Sequence, residues 1–274
     1  MNKGQILVFI FSVIFLYMLL KPLTEQEKYS AIAAKKRQEG TQVTKRIVEQ
    51  PLHEVTLPKF GSIRNVKEKK MKFFNFLRPA IVQENTRISQ VRQQIEAINS
   101  KLLAKETLSA DEKSFITAQV KRYKIKKAPS LSSKVIKLLA RVDIIPTPLV
   151  LVQAANESAW GTSRFAKIGL NFFGIWCFKE GCGMVPNGRD EGLHHEVAAF
   201  ESVEKAVKHY LHNINTNQAY HVFRTIRSQL REQSQPLTAE VLATGLLPYS
   251  ERGTDYVLEI SEMIRHNKKY FKNN

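Results

Sequence analysis

A chain of 274 residues with 43% hydrophobic content carries enough apolar surface for one or two packed domains, which excludes an intrinsically disordered chain. Its net charge of +17 is unevenly placed: residues 21–128 hold 24 Lys and Arg against 11 Asp and Glu, residues 129–274 hold 17 against 14, and Lys3 adds the last charge. The basic stretch has few aromatics and no helix-turn-helix, zinc or RNA-binding signature, which argues against nucleic acid and for an anionic lipid or wall surface.

Residues 1–22 open with Lys3, run apolar over residues 6–20 and stop at Lys21 and Pro22. At 15 residues the run is short beside the roughly 17 to 25 of a spanning helix and close to a signal-peptide core. Ala31, Ile32 and Ala33 form a small-x-small site, but far beyond the run, so an uncleaved anchor is preferred to a cleaved signal. Either device exports the rest of the chain, held at the membrane by an uncleaved anchor or released after cleavage. Residues 23–70 then read as a basic, mobile linker, with a docked extended piece between Pro51 and Pro58.

From Phe73 the period becomes helical, with Ile81, Asn85, Ile88, Val91, Ile95, Ile98 and Leu102 on one stripe. Ser109 with Glu112 marks a capped start for a second helix through Tyr123. These helices, 71–128, are expected to pack on a catalytic body at 129–274. Val135, Leu138, Leu139 and Val142 predict a further helix, which Pro146 ends.

Residues 148–160 predict a helix apolar around most of its circumference, with Thr147 able to cap it, Pro148 suited to its first position and Gly161 to its stop. Glu157 then sits in the last turn of a buried helix. Desolvation and the negative end of the helix dipole both raise a carboxyl pKa there, which suits a general acid. An acid at a helix end is otherwise a solvated surface residue, and the residues alone leave both readings open.

Turn signals at Asn187, Gly188, Asp190, Glu191 and Gly192, followed by residues 194–200, predict a small β-hairpin lobe. Cys177 and Cys182, with four residues between them, suit a disulfide in an exported chain. A metal site would have only His194 and His195 to add and no familiar spacing, so neither metal nor cofactor is expected. Helices follow at 202–213, 219–232, 238–244 and 255–267. The sum is mainly α, an α+β chain with one small β lobe behind an anchor helix and a basic linker.

The stretches NESAWGTSRFA, GLNFFGIW, WCFKEGCG, RDEGLHHEVAAF and YSERGTDYV resemble the bacterial glucosaminidase family, peptidoglycan hydrolases of lysozyme-like fold, and within it the Bax-type branch of Gram-negative bacteria. The resemblance spans roughly residues 73–274. It implies that Glu157 is the catalytic acid, that the substrate is the peptidoglycan glycan strand, and that the bond cut is the β-1,4 link after N-acetylglucosamine. A second carboxylate from the β lobe, or the substrate's own acetamido group, would assist. Strand alternation ranks Glu196 first, since it shares parity with Ala198 and Phe200; Glu191 comes second and Asp190 third, and all three also read as ordinary hairpin charges. Tyr220 and Tyr249 resemble the family's substrate-contact tyrosines, whereas Tyr256 reads as helix core. Phe173, Gly174 and Trp176 would form the cleft floor, with Trp176 as a stacking face for a pyranose. Two rivals stay open: a lytic transglycosylase, which needs one Glu, and a wall-binding scaffold without activity.

Overall fold

One helix organises the molecule. Helix α1, Val66–Leu103, runs 38 residues in the computed structural model, which describes residues 49–189 and 192–271. The expected anchor at 1–22, most of the basic linker, Asp190 and Glu191 lie outside the described residues. Asn65 caps α1 by accepting from the Glu68 amide, and the stripe from Phe73 to Ile98 is buried. No helix among the described residues is long and apolar enough to cross a membrane.

The stretch 50–70, read from composition as linker, is part of the packed unit Gln50–Asn274. The Leu52 amide donates to the Ile168 carbonyl at 2.8 Å, Val55 and Leu57 pack on the core, and Phe60 is 2% exposed. Composition misleads here because its many lysines stay in water while a few apolar side chains dock. The Phe60 ring meets Phe73 and Phe76 edge-on, at 5.4 and 6.0 Å between centroids.

Helix α2, Ala110–Arg122, starts in a capping box: the Ser109 hydroxyl accepts from the Glu112 amide and the Glu112 carboxylate from the Ser109 amide. Helix α3, Leu131–Arg141, packs on α1 and leads to a short connection at 142–146. There the Asn85 side chain both donates to and accepts from the backbone of Ile145, at 2.8 and 3.2 Å. Asp143, 2% exposed, accepts two bonds from Arg231 and pairs with Arg92 at 3.3 Å. Arg227, fully buried, donates to the Asp143 carbonyl and to Asn215. Burial alone would raise the Asp143 carboxyl, but Arg231, Arg227 and Arg92 outweigh it and hold the group below its ordinary range. This cluster fixes the entry to the next helix.

Helix α4, Thr147–Glu157, is that next helix, and Leu149 to Ala155 are all buried. Pro146 takes the cap position in place of Thr147, and the helix closes at Glu157, three residues short of the expected 160. It is packed between α1 and the later helices. After helix α5, Arg164–Gly169, come three short strands: β1, Trp176–Cys177; β2, Gly183–Met184; β3, Glu196–Ala198. They make an antiparallel sheet in the order β1-β3-β2, with Cys177 opposite Glu196 and Met184 opposite Val197. Helices α6, Val203–Thr216, α7, His221–Glu232, α8, Ala239–Ala243, and α9, Thr254–Asn267, complete a mainly helical body with one small β lobe. Turns at Gln218–Tyr220 and Thr244–Tyr249 connect them.

Candidate active site

The motif around Glu157 is a helix terminus built to a particular shape. The Ser158 hydroxyl donates to the Ala154 carbonyl and accepts from the Gly161 amide at 2.8 Å. Ala159, Trp160 and Gly161 all adopt left-handed backbone, φ 50°, 59° and 75°, so the chain reverses at once after the acid. Glycine is required at 161 on two counts: its φ, and the Phe60 ring, which would lie 2.6 Å from an added Cβ. The Trp160 indole packs on Phe73 and Phe74, as a residue that anchors this reversal.

Glu157 is thus delivered half-buried at the end of α4. Burial pushes its carboxyl upward, while donation from Tyr256 and Asn156 offsets part of that rise. The opposite wall comes from the loop 170–175. Asn171, 1% exposed, donates to the Ile175 and Ala198 carbonyls and accepts from the Phe173 and Ile175 amides. That staple places Gly174, φ +62°, so that an added Cβ would sit 3.7 Å from Glu157 Oε2.

Tyrosines ring the acid. Gln153, fully buried one turn before Glu157 in α4, accepts from the Tyr210 hydroxyl and donates through Nε2 to the Tyr256 hydroxyl at 3.0 Å. Directions in this chain follow from chemistry. The Gln153 amide fills one lone pair of Tyr256, and the Tyr256 hydroxyl lowers the Glu157 carboxyl against the rise that burial causes. Tyr249 donates to the Phe173 carbonyl at 2.8 Å and stacks on Tyr256 at 5.4 Å. Burial and the Glu157 charge push Tyr220 up to about 12, and burial first, then Glu157, raises Tyr256, so both phenols stay protonated donors.

Four of the expected site residues therefore gather about Glu157: Tyr220, Tyr249, Phe173 and Gly174. Phe173 is 1% exposed and stacked on Tyr210 at 4.2 Å, so it supports the floor from beneath and its ring meets no open cleft. Trp176 is half exposed and stacked flat on His195 at 4.2 Å, an open face on the β lobe. Glu196 points elsewhere than the alternation argument required. It is buried, and its two oxygens accept from the Gly181 and Gly183 amides at 3.0 and 2.7 Å. Those amides hold its carboxyl low, which clamps the loop closed by the Cys177–Cys182 disulfide. All three residues of β3 are buried, so alternation does not separate a cleft face from the one that carries the disulfide loop. The two sulfurs lie close to Glu196, yet joined to each other they are not thiolate ligands.

Sequence reasoning missed Gln153, Tyr210, Tyr256 and Asn171. Gln153 left a signal: an amide inside an otherwise apolar buried run must find partners for both its donor and its acceptor.

Residues 132–269 match the family Glucosaminidase, described as mannosyl-glycoprotein endo-beta-N-acetylglucosaminidase. The chain is also similar to Protein bax of Escherichia coli (strain K12), 33% identical over an alignment of 219 residues that covers 78% of this chain and 75% of that relative. No solved structure matches it.

Proposed function

The chain belongs to the glucosaminidase family, hence to the glycosidases, and on that premise we propose that it hydrolyses the β-1,4 bond after N-acetylglucosamine in peptidoglycan, with Glu157 as general acid. The observation that carries this reading is a half-buried carboxyl at the end of α4 that faces Gly174, whose added Cβ would lie 3.7 Å from Glu157 Oε2, in surroundings that raise it by burial. The acidic proton of Glu157 is then free to meet the leaving glycosidic oxygen on the side lined by Gly174, where a missing side chain leaves room.

The second role falls to the substrate's acetamido group. Glu196, first choice among the β-lobe acids, has both oxygens engaged by backbone amides, which removes it as the second carboxylate and favours the acetamido group over it. The acetamido oxygen attacks C1 as Glu157 gives its proton to the departing oxygen. The Glu157 carboxylate then takes a proton from the water that opens the cyclic intermediate. Trp176 supplies a stacking face and Tyr220 a donor to the sugar. The engagement of Glu196 also favours one second reading, a lytic transglycosylase, in which the sugar's own hydroxyl replaces water and leaves an anhydro end.

Retention of the β anomer in the first product, seen by NMR, would support acetamido assistance. Inversion, together with loss of activity in Glu191→Gln, would instead assign the β lobe a catalytic base. The N-terminal apolar run at 6–20 supports anchorage in the inner membrane with the catalytic unit in the periplasm. Recovery of the full chain in the soluble cytoplasmic fraction would contradict that placement.

A further inference from the structure

Away from Glu157, α3, α6, α7 and the loop before α3 enclose a cleft of about 1260 Å³. Eight of its lining side chains are Lys or Arg and one, Glu232, is acidic. Glu96 pairs with Arg92 and Asp143 with Arg231, and Arg141 and Arg224 donate inward to backbone carbonyls, so the positive charge at the rim is that of Lys124, Lys126, Lys127 and Lys137. The rim is held in shape. Lys137 donates to the Lys126 and Lys127 carbonyls, and Arg141 donates to the Tyr123 and Lys124 carbonyls. Lys124 and Lys127 sit in left-handed backbone, φ 52° and 53°, which lysine adopts only at a cost.

The rest of the lining restricts the ligand. It contains no Phe, Tyr or Trp, so it offers neither the stacking platforms that single-stranded nucleic acid uses nor a face for a pyranose. Its concavity does not match a flat lipid surface. It does offer side-chain amides, Asn213, Asn217 and Gln229, and apolar ground at Ile125 and Ile136. Cations for carboxylates, amides for a peptide backbone and small apolar patches for methyl groups are together the complement of a short acidic peptide. The turn Gln218–Tyr220 joins the two regions: Gln218 lines the cleft, and Tyr220 feels the charge of Glu157.

We propose that this cleft binds a short acidic peptide through its carboxylates. The peptide's source, the stems borne by the wall glycan, rests on the peptidoglycan reading, whereas the binding itself does not. The test is calorimetry with the full chain carrying Glu157→Gln, so that no cleavage intervenes. The probes are N-acetylated Ala-Glu-Glu-Ala and its uncharged counterpart, N-acetylated Ala-Gln-Gln-Ala-amide. The acidic probe should bind, weaken with added salt, and lose at least about tenfold in affinity in Lys124→Glu/Lys126→Glu, while the neutral probe binds far less. Equal binding of both probes, no binding, or an unchanged affinity in the double variant would overturn the proposal. So would phosphatidylglycerol vesicles that capture the protein through these two lysines while the acidic peptide fails to compete. Cleavage activity lost in Glu157→Gln bears on the proposed reaction alone.

Discussion

Glu157 shows how one residue's role is set by its neighbours. Its carboxylate form is disfavoured by burial, so a neutral amide in its place should suit the fold better. Glu157→Gln is expected to raise the melting temperature at pH 7 by about 2 °C, a fraction of a kcal/mol in a unit of this size. The sign follows from linkage: a carboxyl raised by folding costs stability as pH climbs above the ordinary carboxylate range, so the gain should vanish in acid, where the wild-type group is already protonated. Melting curves at pH 7 and pH 4 check it, and an equal gain at both would contradict it. Tyr256→Phe removes a donor that favours the charged form. Activity at the optimum should fall about tenfold, the worth of one hydrogen bond to a charged group, and the alkaline limb of the rate profile should move to higher pH. An unmoved limb would mean that Tyr256 acts on the sugar and not on the acid. The sequence made Glu157 legible because a lone acid ends an apolar run. Tyr256 was not legible, since a tyrosine at helical spacing looks the same whether it packs a core or donates into a site.

At the scale of elements, the decisive device is the connection that feeds α4. Asp143 is ringed by Arg92, Arg227 and Arg231, and its buried carboxylate faces one guanidinium, that of Arg227, that is wholly out of water. Asp143→Asn should therefore cost about 3 kcal/mol in urea unfolding near neutral pH, because it leaves the buried Arg227 without a carboxylate. Its carboxyl is held low in the fold, so this contribution is present above the ordinary carboxylate range and lost as pH falls through the folded-state value. A cost that grows in acid would contradict the assignment. Nothing in the local sequence announced this cluster, because its members come from α1, α6 and α7 as well as the loop itself. Helices were the easier part: the Ser109 and Glu112 capping box and the stripe from Ile81 to Leu102 stood in plain view. The end of α4 was not, since Ala159 and Trp160 turn left-handed without being glycine or asparagine. Glu196 failed for a different reason. Period two separates two faces only where one of them is exposed, and all three residues of β3 are buried.

For the molecule as a whole, charge and structure divide the chain differently. Composition drew the boundary near residue 70, but packing draws it at Gln50, because Phe60 inserts between Phe73, Phe76 and Gly161. A chain beginning at residue 71 should lose about 3 kcal/mol or more relative to one beginning at 50, the cost of emptying one large aromatic site. Equal unfolding midpoints would show that the docked segment is ornamental. The central claim, that Glu157 protonates the glycosidic oxygen of peptidoglycan, is tested most directly by mass spectrometry of purified sacculi digested with the full chain and with Glu157→Gln. The account predicts fragments ending in reducing N-acetylglucosamine from the wild type and none from the variant. Anhydro-muramyl ends, or the same fragments from both proteins, would contradict it.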